Sequence, residues 1–106
     1  MRLNPEQIAV IKSTVARIVP AEELNGVRLY GSRVDDTKRG GDIDLLLDLA
    51  KPTENPAGLR AQISTQIELG IARSLGASPK IDVLVRAPNL KDLPIHRVAF
   101  EHGVAL

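Results

Sequence analysis

From Pro5 to Val19 the apolar residues Ile8, Ile11, Val15 and Ile18 recur at helical spacing. Asn4 is placed to cap that helix, Pro5 suits its first position, and Pro20 ends it. A turn through Asn25-Gly26 then leads into a short strand, Val27 to Tyr30. Val34 to Gly41 carries no apolar residue after Val34 and finishes in Gly-Gly, which predicts a flexible turn between two strands. Asp42 to Leu49 alternates at its start and becomes nearly continuous apolar, the pattern of a central strand covered on both faces. After a loop from Lys51 to Pro56, Leu59, Ile63, Ile67, Ile71 and Leu75 repeat every four residues. They predict a long amphipathic helix from Ala57 to Leu75, closed by Gly76.

Lys80 to Arg86 sets Ile81, Val83 and Val85 against Lys80, Asp82, Leu84 and Arg86, the period of a half-buried strand. A short helix follows between Asp92 and His102, with Pro94 in its first turn. The predicted order is helix, strand, strand, helix, strand, helix. This is an α/β (α+β) fold: a small mixed sheet of three to four strands with helices packed on it, in a single domain spanning residues 1–106.

Composition narrows the function classes. The chain has 106 residues, 43% of them hydrophobic and 25% charged, as an ordinary globular protein does. Without cysteine there is no disulfide scaffold, thiolate zinc site or cysteine nucleophile. No apolar run approaches the roughly 18 residues of a membrane helix and no signal peptide is evident, so a cytoplasmic protein without a membrane partner is expected. A net charge of +1, with Tyr30 and Phe100 as the only aromatics, offers neither the field nor the stacking platforms of a direct nucleic-acid binder.

Asp42 and Asp44 leave the same face of their strand, with Cα atoms roughly 6.6 Å apart, while Ile43 and Leu45 face the core. Asp82 sits in a strand whose other face is apolar, an expensive place for a charge without a partner. If the two strands are neighbours, three carboxylates converge. Unit charges about 4 Å apart repel by roughly 4 kcal/mol at an effective dielectric near 20. A divalent cation removes that conflict, and an oxygen-only donor set suits Mg²⁺ or Mn²⁺ better than zinc. On the residues alone a plainer alternative stays open, in which Asp42 and Asp44 merely begin a strand and Asp82 pairs with Lys80 or Arg86.

Gly31-Ser32-Arg33 follows the first strand directly, where a small residue lets backbone N–H groups approach a phosphate and a hydroxyl adds a donor. Arg33, Lys38 and Arg39 are the basic residues closest to such a phosphate. Asp35, Asp36 and Asp48 read as solvated, His96 and His102 as residues of a surface helix, and Tyr30 as core.

Gly31-Ser32, nine intervening residues, Asp42-Ile43-Asp44 and Asp82 within Ile81-Asp82-Val83 resemble the signature of the DNA polymerase beta nucleotidyltransferase superfamily. More narrowly, Leu29-Tyr30-Gly31-Ser32-Arg33 running on to Gly41-Asp42-Ile43-Asp44-Leu45 is similar to the minimal nucleotidyltransferases, many of them encoded beside a HEPN-domain protein in toxin–antitoxin pairs. The resemblance implies that Asp42 and Asp44 ligate Mg²⁺ and that Asp82, the third carboxylate, helps deprotonate an attacking hydroxyl. It implies that Gly31 and Ser32, with Arg33 and Arg39 nearby, hold a nucleoside triphosphate, ATP being the expected case. The expected function is transfer of AMP to a hydroxyl of a HEPN partner, in the role of an antitoxin. The alternative is a non-catalytic antitoxin that neutralises its partner by binding. A partner HEPN protein or self-association is expected, because no part of this chain is left over to grip an acceptor.

Overall fold

A computed structural model describes residues 3–34 and 41–106. Helix α1 spans Pro5–Ile18 and opens with a reciprocal cap. The Asn4 side chain accepts from the Gln7 N–H at 2.8 Å, and the Gln7 side chain accepts from the Asn4 N–H at 3.1 Å. Such a cap is worth about 1 kcal/mol. Helix α2, Pro56–Leu75, is capped by Asn55, which accepts from the Gly58 N–H at 3.0 Å, and it ends on Gly76 at φ +87°. Pro56, read as loop, is its first residue. Proline lacks the N–H that this position leaves unused.

The sheet has strand order β3-β2-β1-β4, with β1 Leu24–Tyr30, β2 Ile43–Leu49, β3 Ile81–Arg86 and β4 Val104–Ala105. β1 runs antiparallel to β2 and β4, while β2 and β3 are parallel. A parallel neighbour needs a long crossover, and α2 is that crossover. Asn25-Gly26 is not a turn. It lies inside β1, where the register against β2 shifts between Leu24 and Gly26 and leaves Asn25 as a bulged residue.

Alternation sorts the strands into two faces. Val27, Leu29, Ile43, Leu45, Leu47, Ile81, Val83 and Val85 pack with Ile11 and Val15 of α1 and with Ile63, Ile67 and Ile71 of α2. Gly70 allows the two helices to approach, since a Cβ there would lie 2.8 Å from Val10 Cγ1. The opposite face is covered in part by helix α3, Pro94–His102, beneath which Leu46 is fully buried. Covering on both faces is what the apolar run of β2 predicts.

Two expectations about this second face need correction. His96 is buried, not a surface residue. It accepts the Leu93 N–H on Nδ1 at 2.9 Å, so the ring hydrogen sits on Nε2 and is donated to the Val85 carbonyl at 3.2 Å. Asp48 is likewise buried, 3.6 Å from an Arg86 guanidinium nitrogen. The last helix ends at His102 as expected, and the chain turns at Gly103 into β4, the fourth strand, held by the Arg28 guanidinium on the Gly103 carbonyl at 2.7 Å. Two residues are too few to show a strand period.

Candidate functional site

Strand register brings the carboxylates together. In the parallel pair, Asp44 of β2 is the direct partner of Asp82 of β3; in the antiparallel pair, Asp44 is the partner of Tyr30 of β1. Neighbouring strands lie about 4.8 Å apart. Tyr30, Asp44 and Asp82 therefore form one row across three strands, on the face that α3 covers elsewhere. Asp42 is exposed one residue before β2 begins.

The electrostatics of the row follow from that placement. The Asp44 carboxyl is pushed above its ordinary range, first by burial, then by the negative charges of Asp82 and Asp42; Lys80 pulls the other way. Asp82 is less enclosed than its strand pattern suggests, with its side chain 41% exposed and Lys80 Nζ 3.5 Å away. Part of the plainer reading is thus present, since Lys80 does pair with Asp82. An ion pair between two such exposed groups stabilises the fold little. Arg86 does not join it and turns instead to Asp48 and Asp92.

Gly31 begins a 3₁₀ turn, Gly31–Val34, at φ +78°. A Cβ at this position would overlap Asp44 Oδ2 and lie 3.2 Å from Asp44 Cγ. Two constraints meet there: a left-handed backbone and a carboxylate pressed against the Cα. Arg33, on the same turn, donates through Nε to the Asp42 carbonyl at 3.2 Å and through a terminal nitrogen to the Gly41 carbonyl at 2.9 Å. It braces the approach to Asp42. The Ser32 side chain, Asp35, Asp36, Lys38 and Arg39 lie outside the described residues.

Two neighbours of the row were not assigned to it from sequence. Tyr30 is half-buried and its phenol is pushed up to about 12, by burial first, then by Asp44 and Asp82, with Arg60 opposing. Its membership depends on the β1–β2 register, which no local pattern displays. Arg60 comes from the first turns of α2 and lines a cleft with Ile81, Asp82 and Val83 of β3.

A row of oxygen donors in which the charges of Asp82 and Asp42 raise the proton affinity of Asp44 fits a hard divalent cation. Asp44 and Asp82 face each other and Asp42 stands close enough to be felt at Asp44. Among the described residues no group of three or more His, Cys, Asp or Glu side chains is placed to hold a metal ion.

Fold and site together define a small α/β protein with an acidic, oxygen-only row at one end of a mixed sheet. No family model and no curated protein matches the chain. Among the described residues no helix is long and apolar enough to cross a membrane.

Tyr30 is the only tyrosine and there is no tryptophan, so an ultraviolet titration reads this one phenol. The expected midpoint is about 12. Because the folded value lies above the unfolded value near 10, the folded state retains the proton longer and loses stability as pH rises between the two. Asp44→Asn removes one of the charges responsible and is expected to lower the midpoint. A midpoint unchanged by that substitution would separate Tyr30 from the carboxylate row.

Proposed function

We propose that this chain is a divalent-metal-dependent nucleotidyltransferase core, moving the nucleoside monophosphate of a triphosphate, with ATP as the working case, onto a hydroxyl of another molecule. The observation that carries the reading is the contact between Gly31 and Asp44, made while Asp44 faces Asp82 across the parallel strands. It joins a left-handed glycine turn suited to phosphate and a carboxylate pair suited to Mg²⁺ at one point.

Asp42 and Asp44 would hold the metal with help from Asp82. Bound there, Mg²⁺ or Mn²⁺ would supply Lewis-acid polarisation of the phosphoryl group and neutralise charge on the attacking and leaving oxygens. Gly31 and the backbone after it would take the phosphate tail, with Ser32 and Arg39 as further donors carried over from the family resemblance. Arg33 contributes by fixing the carbonyls of Gly41 and Asp42. Asp82, whose tie to Lys80 is solvent-exposed and weak, is free to accept the proton of the hydroxyl. The resemblance makes a HEPN-domain protein the acceptor to try first.

The reading is tested by thermal melting with Mg²⁺ and each of the four nucleoside triphosphates. A ligand at a hundred times its Kd stabilises by about 2.7 kcal/mol, which raises the melting point of a chain this size by on the order of 10 °C. Incubation with a HEPN-domain protein, ATP and Mg²⁺ is expected to give an AMP adduct by intact mass, with pyrophosphate released. No thermal shift with any triphosphate and no pyrophosphate would overturn the proposal.

A second reading, a binding module that neutralises its partner by covering it, is favoured by exposed apolar side chains. Leu93, Ile95, Val98, Phe100 and Val104 are between 38% and 50% exposed on α3 and its flanks. Phe100 is partly accounted for, as the Arg28 and Arg86 guanidinium groups lie 5.0 and 4.9 Å from its ring centre. A binder of this kind is indifferent to loss of the carboxylates.

A further inference from the structure

We infer that the groove between α2 and the outer edge of β3 is the acceptor's entrance, and that it takes a hydroxyl side chain of a polypeptide segment carrying acidic neighbours, whose charge Arg60 reads. The inference rests on the nucleotidyltransferase reading and adds where the acceptor enters and which charge flanks its hydroxyl.

The order of elements across the sheet sets the direction. Gly31 follows β1, Asp44 is on β2, Asp82 on β3, and the groove lies beyond β3. In an in-line displacement the attacking oxygen enters opposite the leaving one. With the phosphate tail at Gly31, the leaving pyrophosphate is on the β1 side, so the hydroxyl arrives from the side of Asp82. What lies there is a cavity of about 210 Å³ lined by Ala57, Arg60, Ala61, Ser64, Asp82 and Val83. It is smaller than the roughly 300 to 1,000 Å³ of a pocket for a whole small ligand. A single side chain is the right scale. The alanines of α2 keep the groove open, and Ser64 spends its hydroxyl on the Ala61 carbonyl at 3.2 Å.

The edge of β3 is prepared for a peptide backbone. The Ile43 N–H bonds to the Lys80 carbonyl, so alternate residues Lys80, Asp82 and Leu84 bond toward β2 while Ile81, Val83 and Val85 direct their backbone groups outward. Two of these outward groups are taken by side chains: Glu68 accepts the Ile81 N–H at 2.9 Å and His96 donates to the Val85 carbonyl. Between them Val83, which lines the groove, has no partner for its N–H or carbonyl among the described residues. A strand edge left open over one residue and closed at both ends suits a short extended segment.

Charge then selects among such segments. Arg60 makes no hydrogen bond or ion pair among the described residues, although its positive charge is felt at the Tyr30 hydroxyl. Lys80, whose charge is felt at Asp44, lies 3.5 Å from Asp82 in an exposed pair. An acidic segment approaching Asp82 would be repelled by the carboxylates unless a cation stood at the mouth. Arg60 stands there.

The test uses the full chain without nucleotide and fluorescence anisotropy of labelled peptides. Each peptide carries a central tyrosine flanked by glutamates or by lysines. The wild type is expected to bind the acidic peptide about fivefold tighter, the scale of a solvent-accessible ion pair. Arg60→Glu is expected to reverse the preference and Arg60→Lys to keep it. Equal binding of the two peptides, no binding of either, or a preference unchanged in Arg60→Glu would overturn the inference. The Mg²⁺-triphosphate thermal shift of the wild type is recorded alongside. Its absence counts against the nucleotidyltransferase reading, whereas an insensitive peptide preference counts against the groove alone.

Discussion

Replacing Asp42 and Asp44 together by asparagine is expected to abolish nucleotidyl transfer while raising the melting temperature. Removing one donor from an oxyanion site costs on the order of 10² to 10³ in rate, and two metal ligands should cost at least that. The stability change has the opposite sign because of Asp44. Its carboxyl is held above its ordinary range by burial and by Asp82 and Asp42, so the folded state binds the proton more tightly than the unfolded chain. Stability therefore falls as pH rises from the ordinary carboxylate value to the raised one, and the loss persists at neutral pH. Asparagine keeps the shape and removes the repulsion. Pyrophosphate release and thermal melting at pH 7 measure the two effects, and the Mg²⁺-triphosphate shift should vanish with the carboxylates. A double variant that still neutralises a partner would favour the binding-module reading. A variant with a lower melting temperature would mean that the carboxylates serve the fold.

Gly31→Ala is expected to be the most damaging single-methyl change in the site. At φ +78° an alanine costs about 1 to 2 kcal/mol of backbone energy, and its methyl would have to displace the Asp44 carboxylate. Gly76→Ala supplies the control. Gly76 has φ +87°, but a Cβ there meets nothing within 4 Å, so it bears the backbone cost alone. The excess of the first variant over the second, in melting temperature and in transfer rate, isolates the contact with Asp44. We expect transfer to drop by about 100-fold or more in Gly31→Ala and to be nearly unchanged in Gly76→Ala, since a misplacement near 1 Å costs about that much. If the two variants behave alike, Gly31 serves only its turn.

The parts of this protein that could be read from sequence are those whose cause is local. Asn4 and Gln7 cap α1, Gly76 closes α2, and the alternation of Ile81, Val83 and Val85 faces the core, each governed by residues a few positions apart. Misreadings fell where distant residues decide. Asn25-Gly26 has turn composition, yet pairing with β2 absorbs it as a bulge. His96 and Asp48 are polar residues buried because a distant strand, β3, supplies their partners, the Val85 carbonyl and the Arg86 guanidinium. Within the site, the reach of the Arg33 guanidinium to two carbonyls at the entry to β2 is likewise a relation between separate segments.

The sequence by itself determined the elements and the α/β class, because period and capping are set by side chains within one or two turns. Only the tertiary structure decided that Asp82, thirty-eight positions after Asp44, is its direct partner, that Tyr30 completes the row, and that Arg60 lines a cleft with Asp82. Those relations depend on strand order and register. Both are settled by which apolar faces bury against one another, and no single segment encodes that choice.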